Sequence, residues 1–237
     1  MIAANVSIRF ARTVRDARAA HRLFMRRIGT ELVEDWSSFR RSALVSTDVW
    51  IPRLALAEHA GRLVGAQLGG LLVEVGLLSL PYTAVAEDWE GRGVYRALKS
   101  AMLAELRALA ATHGLPPPAG NVAEEVPGSV QYRRKVEQGP ALAFPYLYLQ
   151  PAVQGLAERP LALTYEPLRG PPPPCTPEVY LRLVAVVYRA LYRIAVPEEH
   201  PTFRRIAATV LGADEPATGE GSCAERGSRP SPHPEGM

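Results

Sequence analysis

Two glycines, Gly91 and Gly93, flank Arg92 where an apolar run gives way to a helical pattern. The run, residues 77–86, carries the β-branched Thr83 and Val85 and breaks at Glu87-Asp88-Trp89-Glu90. Beyond the glycines, Val94, Leu98, Met102, Leu106 and Leu109 recur every three or four residues, one face of a helix ending near His113-Gly114. A strand, a glycine turn and a helix start present free backbone N–H groups and the positive end of a helix dipole, a combination that binds anions. Neither glycine has a Cβ to hold a phosphate off the backbone, and Arg92 adds positive charge. A purely structural turn has the same composition, so the pattern alone leaves both readings open. No Ser-His-Asp or Cys-His arrangement stands in a recognisable motif, and no His/Cys cluster suggests a metal. The lysine-bearing P-loop and the dinucleotide glycine pattern are absent too.

The flanking pattern predicts the elements that must position this turn. Residues 6–13 alternate as a first strand, and 16–28 form a helix with Ala20, Leu23, Phe24 and Ile28 on one side. Residues 30–44 read as a second helix with Leu32, Val33, Trp36, Phe39 and Leu44 inward. Residues 53–58 and 63–75 make a hairpin around the turn at 59–62, with Gly69-Gly70 marking a bulge or a close backbone approach. Residues 121–126 form a short strand, 130–138 a helix, and 142–149 and 160–168 the last two strands.

A proline-rich linker, 170–176, then breaks the composition. Beyond it Tyr180, Leu183, Val184, Val187, Tyr188 and Leu191 form an apolar stripe on a helix over 177–194, and a second short helix spans 201–211. That stripe is buried on the same chain or, as the second choice, in a homodimer. From 212 onward the chain is Gly, Pro, Ser and charge, a disordered tail by composition. The expected division is 1–169, linker 170–176, helical extension 177–211 and tail 212–237.

With 237 residues, 47% hydrophobic and 22% charged, the chain can bury a full core and has the composition of a soluble globular protein. Its net charge of +3 is too small to argue for nucleic acid. Two cysteines, Cys175 and Cys223, make no disulfide framework. No run of about 18 apolar residues suggests a membrane span, and Arg9, Arg12 and Arg15 interrupt any signal-peptide pattern. The expected location is cytoplasmic.

The stretch Val85-Ala86-Glu87-Asp88-Trp89-Glu90-Gly91-Arg92-Gly93-Val94 resembles the acyl-coenzyme A signature of the GNAT acyltransferases (GCN5-related N-acetyltransferases). In that family a strand ends in a Val-x-Pro-like corner, an (Arg/Gln)-x-x-Gly-x-(Gly/Ala) loop follows, and a long helix begins. Gly93 matches the central glycine, whereas Glu90 stands where Arg or Gln is usual and Tyr95 where a small residue is usual. Tyr132 opens the helix after the fifth strand, where many members carry a tyrosine that protonates the leaving thiolate. The usual Gly-Phe that follows is missing. The resemblance covers about two-thirds of the chain in element order, but only residues 85–94 and Tyr132 in motif wording.

The resemblance implies an α/β fold: a mixed, mostly antiparallel sheet flanked by helices, with the pantetheine arm in a gap after the central strand. Pro81, which donates no hydrogen bond, suits that interruption. It implies acetyl-coenzyme A as acyl donor, held by Val85, Glu90, Gly91, Arg92, Gly93, Val94 and Tyr95. The acceptor would be an amine, on a small molecule or a peptide, facing the first helical pair. Arg26, Arg27, Arg40 and Arg41 there either meet an anionic acceptor or form a solvated face, and the connection 150–159 is long enough to reach over this side. Direct transfer needs a carboxylate to deprotonate the ammonium; Glu74, Glu124 and Glu125 are candidates, with Glu124 preferred and a solvated strand end its plain alternative. Alternation lets at most one of Glu124 and Glu125 point into a cleft. Two other functions fit the resemblance: a non-catalytic module that binds coenzyme A or a partner, and an enzyme taking a longer acyl chain or a carrier-protein donor.

Overall fold

The computed structural model describes residues 6–212. Strand β1 (Ser7–Phe10) leads into helices α1 (Val14–Arg27) and α2 (Trp36–Leu44), then β2 (Trp50–His59), β3 (Arg62–Leu72) and β4 (Leu77–Val85). Helix α3 (Val94–Thr112), β5 (Gly120–Glu125) and a single turn α4 (Val130–Tyr132) follow, the last continuing as a π-helical turn over Arg133–Glu137. Short strands β6 (Leu142–Ala143) and β7 (Tyr148–Gln150), the long β8 (Arg159–Pro167), and helices α5 (Pro177–Ala190) and α6 (Pro201–Gly212) complete the fold. Of the expected tail only Gly212, the last residue of α6, lies within the described residues.

The strands form one sheet in the order β1-β2-β3-β4-β5-β8-β6, with β7 also on β8. Every neighbouring pair is antiparallel except β4 and β5, which are parallel. The two-residue period of β2 explains the layers: Leu54 and Leu56 pack with α1 and α2, and Ala55 and Ala57 pack with α3 on the other face. The α3 stripe read from sequence is buried at every position, from Val94 to Leu109. It lies so close to β3 that a Cβ on Gly69 would sit 3.2 Å from Met102 Sδ and 2.5 Å from Leu80 Cδ2. At this glycine pair the β3–β4 register also shifts, so both expectations for Gly69-Gly70, bulge and close approach, hold together.

Some element boundaries differ from the sequence pattern, each for a local reason. Helix α1 starts at Val14 because Thr13 caps it: Thr13 Oγ1 accepts from Asp16 N at 3.1 Å and the Asp16 carboxylate answers the Thr13 N–H. The second helix begins at Trp36, not residue 30. Asp35 is its N-cap, accepting from Ser38 N at 3.0 Å, and the Asp35 N–H is spent on Gln154 O at 3.0 Å. Strand β3 stops at Leu72, and Val73–Val75 wind into a 3-10 turn closed by Gly76 at φ 61°. The strand expected over 142–149 is split. Residues 144–147 bulge opposite Ala162 and Leu163 alone, where Pro145 cannot donate to the ladder and Tyr180 Oη donates to Leu147 O at 2.7 Å.

The apolar stripe of α5 is buried on the same chain. Tyr180, Val184, Val187 and Tyr188 share one cluster with Trp50, Leu72, Val122, Tyr148, Leu163 and Tyr165, and α6 adds Phe203 and Ile206. Tyr188 is fully buried and its hydroxyl donates to Leu149 O. Tyr188→Ala is therefore expected to cost about 3–5 kcal/mol, the range for deleting a large buried aromatic. Urea denaturation followed by far-UV circular dichroism should show one transition, moved to lower urea; an unmoved midpoint would mean α5 adds nothing to this core.

Candidate active site

Strands β4 and β5 pair only at Leu78 with Asn121 and Ser79 with Val122, and then part. Just past Ser79, Leu80 and Pro81 together face the single Gly69 on β3, a bulge that turns β4 away. Pro81 has no N–H to offer in either direction. A cleft of about 270 Å³ opens at this parting. Ser79 to Thr83 form one wall, and Glu124, Glu125, Ser129 and Lys135 form another. The α1–α2 side contributes Ile28, Leu32, Glu34 and Ser42, and the far side is closed by Gln150, Gln154, Leu191 and Tyr192. The connection 150–159 thus reaches the α1–α2 side, as its length suggested.

Glu124 is held on one oxygen only. Tyr192 Oη donates to Glu124 Oε1 at 2.6 Å, and Tyr148 Oη donates to the same oxygen. Oε2 takes no hydrogen bond among the described residues. Burial pushes the Glu124 carboxyl up, and the two tyrosine donors pull it back down. Glu125, the last residue of β5, lines the cleft as well, contrary to strict alternation; it is buried and paired with Lys135. Glu74 is not in the cleft: it lies in the 3-10 turn and binds Arg189 of α5 at 2.8 Å.

Another cleft carboxyl, Glu34, is only 4% exposed and has Ser42 Oγ 3.2 Å from its Oε2. Burial pushes it to about 8, with Ser42, Arg193 and Arg41 opposing and Asp35 adding to the rise. Tyr82 stands between the two acids; burial, and then the charge of Glu34, hold its hydroxyl well above the usual tyrosine range, and Glu124 adds to this.

At the glycine turn, Gly91 and Gly93 adopt φ of 71° and 80°, left-handed values that disfavour a side chain. Val94 is buried under α3, and Val85 packs beside it. Glu90 is ion-paired with Arg27 at the end of α1, and Arg27 also lies 3.6 Å from Glu87, so the carboxylate at the loop is compensated. Arg92 stacks over Trp89 at 5.1 Å. Tyr95, 40% exposed, reaches the cleft wall. Tyr132 is half-buried with its N–H on Ser129 Oγ at 3.0 Å, and it does not line the cleft; Lys135 from the same turn does. Arg26, Arg27, Arg40 and Arg41 do not line it either. The sequence reading missed Glu34, Tyr148 and Tyr192. Tyr148 lay in a recognised strand pattern, whereas nothing local marked Tyr192 as a partner of β5.

Glu34 makes stability fall with rising pH. Its folded-state value, about 8, lies above the ordinary carboxyl value of 4.5. Between the two the unfolded chain holds fewer protons, so the native state is destabilised progressively as pH rises through that window. Glu34→Gln keeps an acceptor for Ser42 Oγ and removes the titration. Melting temperatures from pH 5 to 8.5 should decline less in Glu34→Gln than in the wild type; parallel declines would refute this assignment.

No family model matches the chain, and no curated protein matches it. Solved structures do. A protein described as a GNAT-family acetyltransferase, from Bacteroides thetaiotaomicron, superposes with a TM-score of 0.57 at 12% identity, covering 79% of this chain and 99% of that one. The diaminobutyrate acetyltransferase of Paenibacillus lautus, solved with L-2,4-diaminobutyric acid and coenzyme A, superposes at 0.50 and 16% identity, covering 71% and 99%. The chain has the GNAT fold.

Proposed function

We propose that this chain transfers an acyl group, acetyl in the first instance, directly from coenzyme A to an amine bound in the cleft. The observation that carries the reading is Glu124: a half-buried carboxyl, fixed through one oxygen, with its other oxygen left for a ligand where β4 and β5 separate. The acceptor in the diaminobutyrate acetyltransferase complex is an amine, which is consistent with it.

The residues fit the donor. The turn from Glu90 to Tyr95 offers backbone N–H groups and two left-handed glycines to a pyrophosphate, and Arg27 neutralises the one misplaced carboxylate. The β4 backbone beyond Ser79 has no partner strand on the β5 side, so a pantetheine amide can pair there. Acyl-coenzyme A, when bound, would supply the thioester carbonyl. Glu124 Oε2 takes a proton from the acceptor ammonium; the neutral nitrogen forms the new C–N bond as the C–S bond breaks, and the further proton it sheds ends on the departing sulfur, giving the free thiol. Tyr82 and Tyr192 crowd water away from that carboxylate. Tyr132, outside the cleft lining, is given no part in these steps.

A non-catalytic module that binds coenzyme A is the second reading, favoured by the acidic residue at Glu90 and by the position of Tyr132. One experiment separates the two. Calorimetric titration with acetyl-coenzyme A and coenzyme A is followed by an amine screen that reads release of free thiol. Saturable binding and thiol release are expected, with Glu124→Gln lowering turnover by about 10²-fold or more and leaving donor affinity unchanged. Binding without transfer to any amine supports the module, and no binding at millimolar donor sinks both.

A further inference from the structure

Helix α5 ends in an unusual way beside the cleft. The Ile194 N–H bonds to Tyr188 O at 3.1 Å, and Arg193 between them sits at φ 56°. The bond closes a seven-residue turn over the end of the helix, with a left-handed position, normally glycine, just before its last residue. A side chain there is strained, and here the strained residue also buries guanidinium nitrogens Nε and Nη2 with no hydrogen-bond partner among the described residues. The residue just before it, Tyr192, is only 7% exposed. Its ring meets Tyr188 edge-on at 5.8 Å, its carbonyl accepts from Gln154 Nε2 at 3.0 Å, and its hydroxyl ends on Glu124 Oε1.

We propose that Tyr192 is a positioning residue for Glu124, and that the segment beyond the proline-rich stretch thereby forms part of the active site. The proposal rests on the acyltransferase reading above. Glu124 lies on β5, 68 residues away from Tyr192, so the bond is a tertiary contact with no role in local structure. Both tyrosines bind the same oxygen, which fixes the carboxylate plane and leaves Oε2 as the one oxygen free for the acceptor. Each hydroxyl also favours the ionised form, against desolvation and the charge of Glu125. The other titratable groups near this carboxyl are Tyr82 on β4 and Tyr188 on α5, while Lys135 is engaged by Glu125. Tyr192 thus acts on the reaction through Glu124 and needs no contact with substrate.

The test is a carboxyl-carbon NMR titration of the full chain carrying labelled glutamate, with the Glu124 signal assigned by its disappearance in Glu124→Gln. Tyr192→Phe keeps the ring and its packing and removes one donor, so the Glu124 titration should move up by about one to two pH units, the worth of a hydrogen bond to a charged group. Tyr148→Phe should move it in the same direction. With an amine acceptor in hand, the acidic limb of the kcat/KM profile should shift up by the same amount in Tyr192→Phe, with the rate recovering at high pH. A packing role alone would lower the melting temperature and leave both titrations in place. An unmoved Glu124 signal in folded Tyr192→Phe overturns the proposal whatever the assay gives. Absence of transfer in the wild type overturns the enzymatic reading instead; the NMR signal, which needs no acceptor, registers that case separately.

Discussion

The parting of β4 and β5 is the constraint from which the rest of the site follows. Two parallel strands can bond along their whole length, yet these pair at two positions and stop. The stop is built into the chain: Leu80 and Pro81 occupy the space of one residue opposite Gly69, and Pro81 has no donor. Backbone groups left facing a gap must find another partner. A bound amide chain is one, and the side chains drawn in from three other elements shape the space around it. Helix α3 holds the arrangement from the opposite face, seated on Gly69 through Met102 and anchored by Val94 immediately after the glycine turn. The turn and the gap are therefore parts of one rigid piece.

Within the cleft, two glutamates are distinguished by their donors. Glu34 is buried and Glu124 half-buried, and desolvation is the main force on each. Glu34 has a single neutral hydroxyl, from Ser42, and is driven to about 8. Glu124 has two tyrosine hydroxyls on one oxygen. At Glu124 two hydroxyls on one oxygen oppose desolvation, whereas at Glu34 one hydroxyl and the charges of Arg193 and Arg41 oppose it. The open oxygen argues for Glu124 as the base, and Glu34, pushed to about 8, stands as a wall residue holding a proton at neutral pH.

Legibility in the sequence followed the range of the interactions. The strand, turn and helix across residues 77–112 were readable because periodicity and glycine placement are local signals, and β4 and α3 appear where they were expected. Glu124 was one of three carboxylates that the resemblance made candidates, and it lies in the cleft. Tyr192 was not readable, since its significance depends on a partner on another element. Glu34 was hidden by an error: residues 30–35 carry helical apolar spacing, and only the capture of the Asp35 N–H by Gln154 O, a tertiary bond, keeps them out of the helix. The split between β6 and β7 was missed for a related reason. Alternation continues across Pro145, and the bulge is set by hydrogen bonds to α5 and its lead-in, from Tyr180 to Leu147 O and from Tyr146 to Cys175 O.

Composition alone misleads at the proline-rich stretch, because proline marks where a chain is extended and says little about where a core ends. The cluster around Trp50 and Tyr165 draws residues from both sides of it. Burying α5 there would be satisfied by any helix end that leaves the core cleanly, and glycine at position 193 would provide one. The chain instead carries a left-handed arginine with buried nitrogens unpartnered among the described residues. Strain of this kind persists only where surrounding contacts over-determine it. Those contacts converge on Tyr192: the Tyr188 ring, the Gln154 amide and the Glu124 carboxylate hold it on three sides. The least comfortable turn in the helical extension thus adjoins the residue that reaches the cleft, which is where a structural account of α5 alone has no reason to put it.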